Sequence, residues 1–106
     1  ELTSSFMIIP AKPTPTSFKS KKSKQITYYW NKDSNASGYQ IQYSTSSSFS
    51  KKKTKSYIIS KNSTKSKTFS SLKKKKKYYV RMRSYKTIDG KRQFSSWSKK
   101  MSVKTK

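Results

Sequence analysis

The 106-residue chain contains no cysteine and no histidine. It therefore has no disulfide framework, no thiol nucleophile, no zinc-finger ligand set and no Ser-His-Asp triad. Acids are nearly absent as well: Glu1, Asp33 and Asp89 are the three. They are scattered in sequence, and a paired-carboxylate site needs two of them brought together by the fold. The expectation is a protein that is not an enzyme and takes no metal or cofactor. Two glycines and three prolines leave most turns to Ser, Lys and Asn clusters. Long apolar runs are missing: the longest, Phe6-Met7-Ile8-Ile9, is far short of a membrane span. No basic segment precedes a long apolar stretch, so no signal peptide is read and no membrane insertion is expected. The chain starts at Glu1, which is read here as an excised piece of a longer protein.

What is abundant is positive charge. Lys and Arg number 27 against 3 acids, for a net charge of +24. Only Arg81, Arg83 and Arg92 are arginines; the other 24 basic residues are lysine. Base edges are best read by the planar guanidinium fork, so no specific nucleic-acid partner is expected. Lysine in bulk gives a diffuse, salt-sensitive attraction to polyanions, or simply a well-solvated surface. A hydrophobic fraction of 29% with one-signed charge favours disorder. Eight Tyr, five Phe and two Trp oppose it, because each ring buries a large area. The balance predicts one small domain with an aromatic core under a Lys/Ser surface.

Period-2 alternation dominates the chain, so the fold class is all-β. In residues 25–30 it puts Ile26, Tyr28 and Trp30 on one face. A turn cluster at 31–38 precedes Tyr39, Ile41 and Tyr43, which face inward, with Gln40 and Gln42 outward. Phe49, in a Ser/Lys loop, is expected to fold back as a plug. Strands follow at 55–60 and 66–72, the latter bringing Phe69 and Leu72 inward. Residues 73–77 are an unbroken run of five lysines. In 78–85, Tyr78, Val80, Met82 and Ser84 share one face, and Tyr79, Arg81, Arg83 and Tyr85 take the other. Asp89-Gly90 is a hairpin turn, and a last strand over 97–105 turns Met101 and Val103 inward. Seven antiparallel strands at this spacing predict a β-sandwich, with a small barrel as the alternative.

Four linked features give a family resemblance over about residues 13–106. Trp30 ends the second strand after Ile26-x-Tyr28. Tyr39-x-Ile41-x-Tyr43 fills the third. Leu72 stands six residues before Tyr78, which is followed by Val80-Arg81-Met82-Arg83. Trp97-Ser98 opens the last strand. In this order they resemble a fibronectin type III domain, of the Lys-rich variety found in tandem on bacterial surface and secreted proteins. One departure is clear: the usual Pro-Gly between the Leu and the Tyr is replaced by lysines 73–77. The resemblance implies an immunoglobulin-like sandwich, a secreted or cell-surface location and neighbouring domains of the same chain as partners. It also implies a spacer or adhesive role, with the isolated domain monomeric. Residues 1–12 then read as a linker or the end of a preceding repeat.

Two groups of residues stand out as candidate sites. The outward face of the strand at 78–85 collects Tyr79, Arg81, Arg83 and Tyr85, with Gln40, Gln42 and Trp97 beside them. The pattern around Trp97 looks like the Arg/Trp ladder of some members of the family. As scaffold, the ladder only stiffens the sheet. As a site, it is a carbohydrate-binding platform, with rings stacked on sugars and Gln and Arg bonding hydroxyls, or a protein-binding patch. The second group is Lys73, Lys74, Lys75, Lys76 and Lys77. These make either a solvated corner or a contact to an anionic cell-wall polymer. Asn62-Ser63-Thr64 matches the N-glycosylation pattern and, being short, is given no weight.

Overall fold

A computed structural model describes residues 11–106. The apolar run at 6–9, and with it most of the expected linker at 1–12, lies outside the described residues. The described chain is all-β and antiparallel. Eight strands form two sheets: β1 (Pro15–Lys22), β2 (Gln25–Trp30), β3 (Gly38–Ser44), β4 (Thr54–Ile59), β5 (Ser66–Phe69), β6 (Lys77–Ile88), β7 (Lys91–Phe94) and β8 (Met101–Lys104). The first sheet has the order β1-β2-β5. The second runs β4-β3-β6, and β7 and β8 both pair with the far side of β6.

Seven strands become eight because β7 (Lys91–Phe94), just past the Asp89-Gly90 turn, was not read as a strand, and the last strand begins at Met101 rather than at residue 97. Residues 95–100 leave the ladder, and serine hydroxyls replace the missing backbone partners. The Met82 amide donates to Ser98 Oγ and the Ser84 amide to Ser95 Oγ, both at 3.0 Å. The Ser95 and Ser98 amides still reach the carbonyls of Ser84 and Met82. Every second backbone donor of β6 is thus satisfied across a gap with no strand in it. The expected strand at 66–72 ends at Phe69, ahead of Ser71, whose φ is +59°. Such a φ belongs to a turn and takes the chain out of the sheet.

The alternation read in the sequence places the core. Ile26, Tyr28, Trp30, Tyr39, Ile41, Tyr43, Phe69, Leu72, Tyr78, Val80 and Met82 are all buried. Met101 and Val103 are partly buried against them. Phe18 and Ala36 also join the cluster. The rings form a chain, Phe18–Tyr28–Trp30–Tyr39, with centroids 5.5–5.7 Å apart. Offset and edge geometries of this kind favour aromatic pairs beyond the area they bury. Tyr39 also works through its hydroxyl. It accepts from the Asp33 amide (2.6 Å) and donates to the Asn62 carbonyl (2.8 Å), tying two loops at one pole. The Asn62 amide donates to the carbonyls of Ala36 and Ser34, so the nitrogen of the sequon is used inside the fold.

Local turn chemistry closes the frame. Asp89 (φ +53°) and Gly90 (φ +76°) make the two-residue β6–β7 turn, whose paired positive φ values match the twist of the flanking strands. At the lysine corner, the Lys73 amide donates to the Tyr78 hydroxyl (2.9 Å), the bond expected of a tyrosine corner. The Thr105 hydroxyl takes the Lys76 amide and gives its proton to the Lys73 carbonyl. Two hydroxyls thus hold a turn that lacks the family's Pro-Gly, with Lys75 at φ +51°.

Candidate functional site

The outer face of the second sheet is built from β3, β6 and the two segments that flank them. Register sets Gln42 opposite Arg81 and Gln40 opposite Arg83. Gln42 Oε1 accepts from Arg81 Nε (3.0 Å) and Nη2 (2.7 Å), while its own amide donates to Ser56. Gln40 Oε1 accepts from Arg83 Nε at 2.7 Å. Each guanidinium is therefore held flat along the sheet, in position for a ring above it.

The rings are there. Arg81 lies 4.3 Å from the Phe49 centroid and 4.2 Å from Trp97. Arg83 lies 4.4 Å from Trp97 and 3.8 Å from Phe94. The result is a continuous stack, Phe49–Arg81–Trp97–Arg83–Phe94, with Trp97 clasped between two cations. Phe94 meets Tyr85 edge-on at 5.9 Å, and Arg92 lies over Tyr85 at 5.1 Å. All three arginines of the chain are used in this stack. Burial lowers the pKa of Arg81 and Arg83, and for Arg83 the charge of Arg81 adds to it. Both stay cationic, as guanidinium does in proteins.

The structure sorts the candidate face into three parts. Arg81, Arg83, Trp97, Gln40 and Gln42 come together, half-buried and engaged with one another. Tyr79 stands apart, with Lys77 and Lys100 over its ring at 5.5 and 5.9 Å. Tyr85 keeps the face of Arg81 and Arg83 but is buried there, 3% exposed, and so offers no open ring. Its ring fills the space left by Gly38 on the neighbouring strand, where an added Cβ would fall 2.7 Å from the Tyr85 hydroxyl. Phe49 is corrected too. It does not plug the sandwich but caps the outer stack from a loop position with φ +55°. Phe94 was missed because nothing in its local sequence marks it; its partner is Arg83, on the adjacent strand.

The lysine run is also divided. Lys74, Lys75 and Lys76 point to solvent on the corner, and Lys77 belongs to Tyr79. Lys73 lies elsewhere, on the rim of a cleft between the sheets near Tyr43 and Tyr78. Among the described residues no group of three or more His, Cys, Asp or Glu could hold a metal ion.

Known structures share this architecture. The fn3 domain of human contactin 1, in solution, matches with a TM-score of 0.71 at 16% identity, over 100% of this chain and 92% of that one. A crystal structure of the FN1–FN3 domains of chicken CNTN1 matches with a TM-score of 0.70 at 22% identity, over 88% of this chain. This chain spans 29% of that longer one. A computationally redesigned β-sandwich protein matches with a TM-score of 0.68 at 14% identity, over 91% of each chain. No protein-family model matches the sequence, and no curated protein does. Strand order, the tyrosine corner and these likenesses agree that the chain has the fold of a fibronectin type III domain.

Proposed function

We propose that this domain is a non-catalytic structural module, a spacer or adhesive repeat of a larger secreted or cell-wall-associated bacterial protein. The surface and bacterial setting rests on the sequence resemblance. The structural role rests on the stack. Both flanks of Trp97 are taken by the protein's own guanidinium groups, and the Gln side chains that could bond sugar hydroxyls are already bonded to those arginines. A face arranged this way stiffens a sheet.

The path of the chain favours a spacer as well. It enters where the Thr14 carbonyl accepts from the Asn31 amide, at the Trp30 end of β1. It leaves where the Lys106 amide donates to Ser20 Oγ, toward the other end of β1. Such a domain holds its chain neighbours on opposite poles. The test is a panel of neutral glycans offered to wild type and Trp97→Ala. Wild type should bind none of them, and the variant should lose about 2 kcal/mol of stability in denaturant unfolding. A neutral glycan bound by wild type and lost in a folded Trp97→Ala protein would establish a carbohydrate-binding face and overturn the structural reading.

A further inference from the structure

A cleft of about 420 Å³ opens between the two sheets at the lysine-corner pole. That volume lies in the range of small-ligand clefts, about 300–1,000 Å³. Four lysines from two parts of the chain line it. Lys52 and Lys53 come from the 3-10 turn Lys51–Lys53, Lys55 from β4 and Lys73 from the corner before β6. Their convergence is a product of the fold, since 18 residues separate Lys55 from Lys73.

No side-chain carboxylate answers them. Among the described residues the carboxylates are Asp33 and Asp89. Asp33 lies in the loop before β3, its backbone amide bonded to the Tyr39 hydroxyl, and it does not line the cleft. Asp89 follows Ile88, ten positions or about 33 Å along β6 from Tyr78. The cleft is a cationic site with no carboxylate in its lining, and charge of one sign around a cleft raises the local potential.

The rest of the lining suits an oxygen-rich anion. Ser71 lines the cleft with the lysines, and its hydroxyl can serve as a directional donor. The turn that takes the chain out of β5 at Ser71 (φ +59°) is what brings this residue to the cleft wall. The ring of Tyr57 is 36% exposed, lies parallel to Tyr43 at 5.9 Å and carries Lys67 Nζ 5.2 Å from its centroid, so this wall pairs a flat ring with a further ammonium group. Lysine without arginine offers compact point charges, matched to a tetrahedral oxyanion more than to a base edge.

We propose that this cleft binds a phosphate or sulfate ester carried on a polyol or sugar chain. The oxyanion sits among Lys52, Lys53, Lys55 and Lys73, and the carbon backbone lies against Tyr57. The proposal goes beyond the structural role above and is independent of it, because a spacer without an anion site is still a spacer.

The experiment is titration calorimetry of the domain against poly(glycerol phosphate), dextran sulfate, inorganic phosphate and duplex DNA, at several salt concentrations. Wild type is compared with a variant carrying Lys52→Ser, Lys53→Ser, Lys55→Ser and Lys73→Ser. A control with the same charge loss carries Lys19→Ser, Lys61→Ser, Lys91→Ser and Lys99→Ser. All eight side chains are exposed, so both variants keep the core. The cleft variant should lose about tenfold or more in affinity for one of the two polymers, and the control about threefold at most. Which polymer responds tells phosphate from sulfate, and weak binding of free phosphate shows the contribution of the chain. Tyr57→Ala should weaken polymer binding and leave free phosphate unchanged. Equal loss in the two Lys variants, or duplex DNA bound as tightly as either polymer, would overturn the proposal.

Discussion

At the scale of single residues, buried polar atoms decide how well this aromatic core is made. The Tyr28 hydroxyl and the Trp30 indole N–H are buried with no hydrogen-bond partner. Ser98 lies beside Tyr28 and pulls its pKa down against the larger upward push of burial. Ser98 Oγ accepts from the Met82 amide and donates to the Lys99 carbonyl, and the Tyr28 hydroxyl does not come within bonding geometry of it. An orphaned hydroxyl costs about 1–3 kcal/mol, while its removal leaves the ring's apolar area in place. Tyr28→Phe is therefore expected to stabilise the domain by about 1 kcal/mol in urea or guanidinium unfolding. A loss of stability would show that the hydroxyl is satisfied after all. Tyr39 makes the opposite case. Its hydroxyl serves both Asp33 and Asn62, so Tyr39→Phe would free two loops.

Among the elements, the divided edge of the second sheet governs the outer face. The gap at 95–100 is held to β6 by two serine hydroxyls, and Trp97 sits between those anchors. Ser95→Ala or Ser98→Ala leaves a buried β6 amide unpaired, at a cost of about 1–3 kcal/mol each. The double variant should also lose the environment of Trp97, read as a shift in its fluorescence. Unchanged stability in both single variants would mean that water replaces the hydroxyls. The legibility of the sequence follows the same line. Strict alternation between an apolar core and polar solvent exposed the inward residues of β2, β3 and β6, because burial on one face writes itself at period 2. Tyr85 broke the pattern because its burial depends on Gly38, a missing side chain on another strand. Phe49 and Phe94 escaped because their partners are guanidinium groups on β6, not core residues. Lys73 was read as an anion contact within its own run, but its meeting with 52, 53 and 55 escaped, because a tertiary meeting has no period.

For the molecule as a whole, charge and burial oppose each other at alkaline pH. Tyr28, Tyr39 and Tyr43 all have phenol pKa values raised above 10, in each case first by burial. Above that pH the unfolded chain sheds phenol protons that the fold retains. Their contribution is fully present below about pH 10 and is lost as pH rises through the folded values. Self-repulsion at a net charge of +24 is a separate cost to the folded state, and salt screens it. Salt separates the two effects. At pH 7, raising NaCl from about 0.05 to about 0.5 M should raise Tm by several degrees. At about 1 M NaCl, where repulsion is screened, stability should still fall above about pH 10, with phenolate absorbance of the buried rings appearing only on unfolding. A Tm indifferent to salt at neutral pH would show that self-repulsion is not a term in this fold.

The division of labour between the two basic residue types reaches further than stability. Every arginine is spent on the ring stack, and every other positive side chain is a primary amine. The three guanidinium groups would balance the three carboxylates if all 24 amines were acetylated, since 27 − 24 − 3 gives zero. Acylation of lysine could thus strip the whole net charge from the surface without touching the stack or the aromatic core. Electrostatics and architecture are chemically separable in this protein: one reagent can erase what it attracts while leaving what it is.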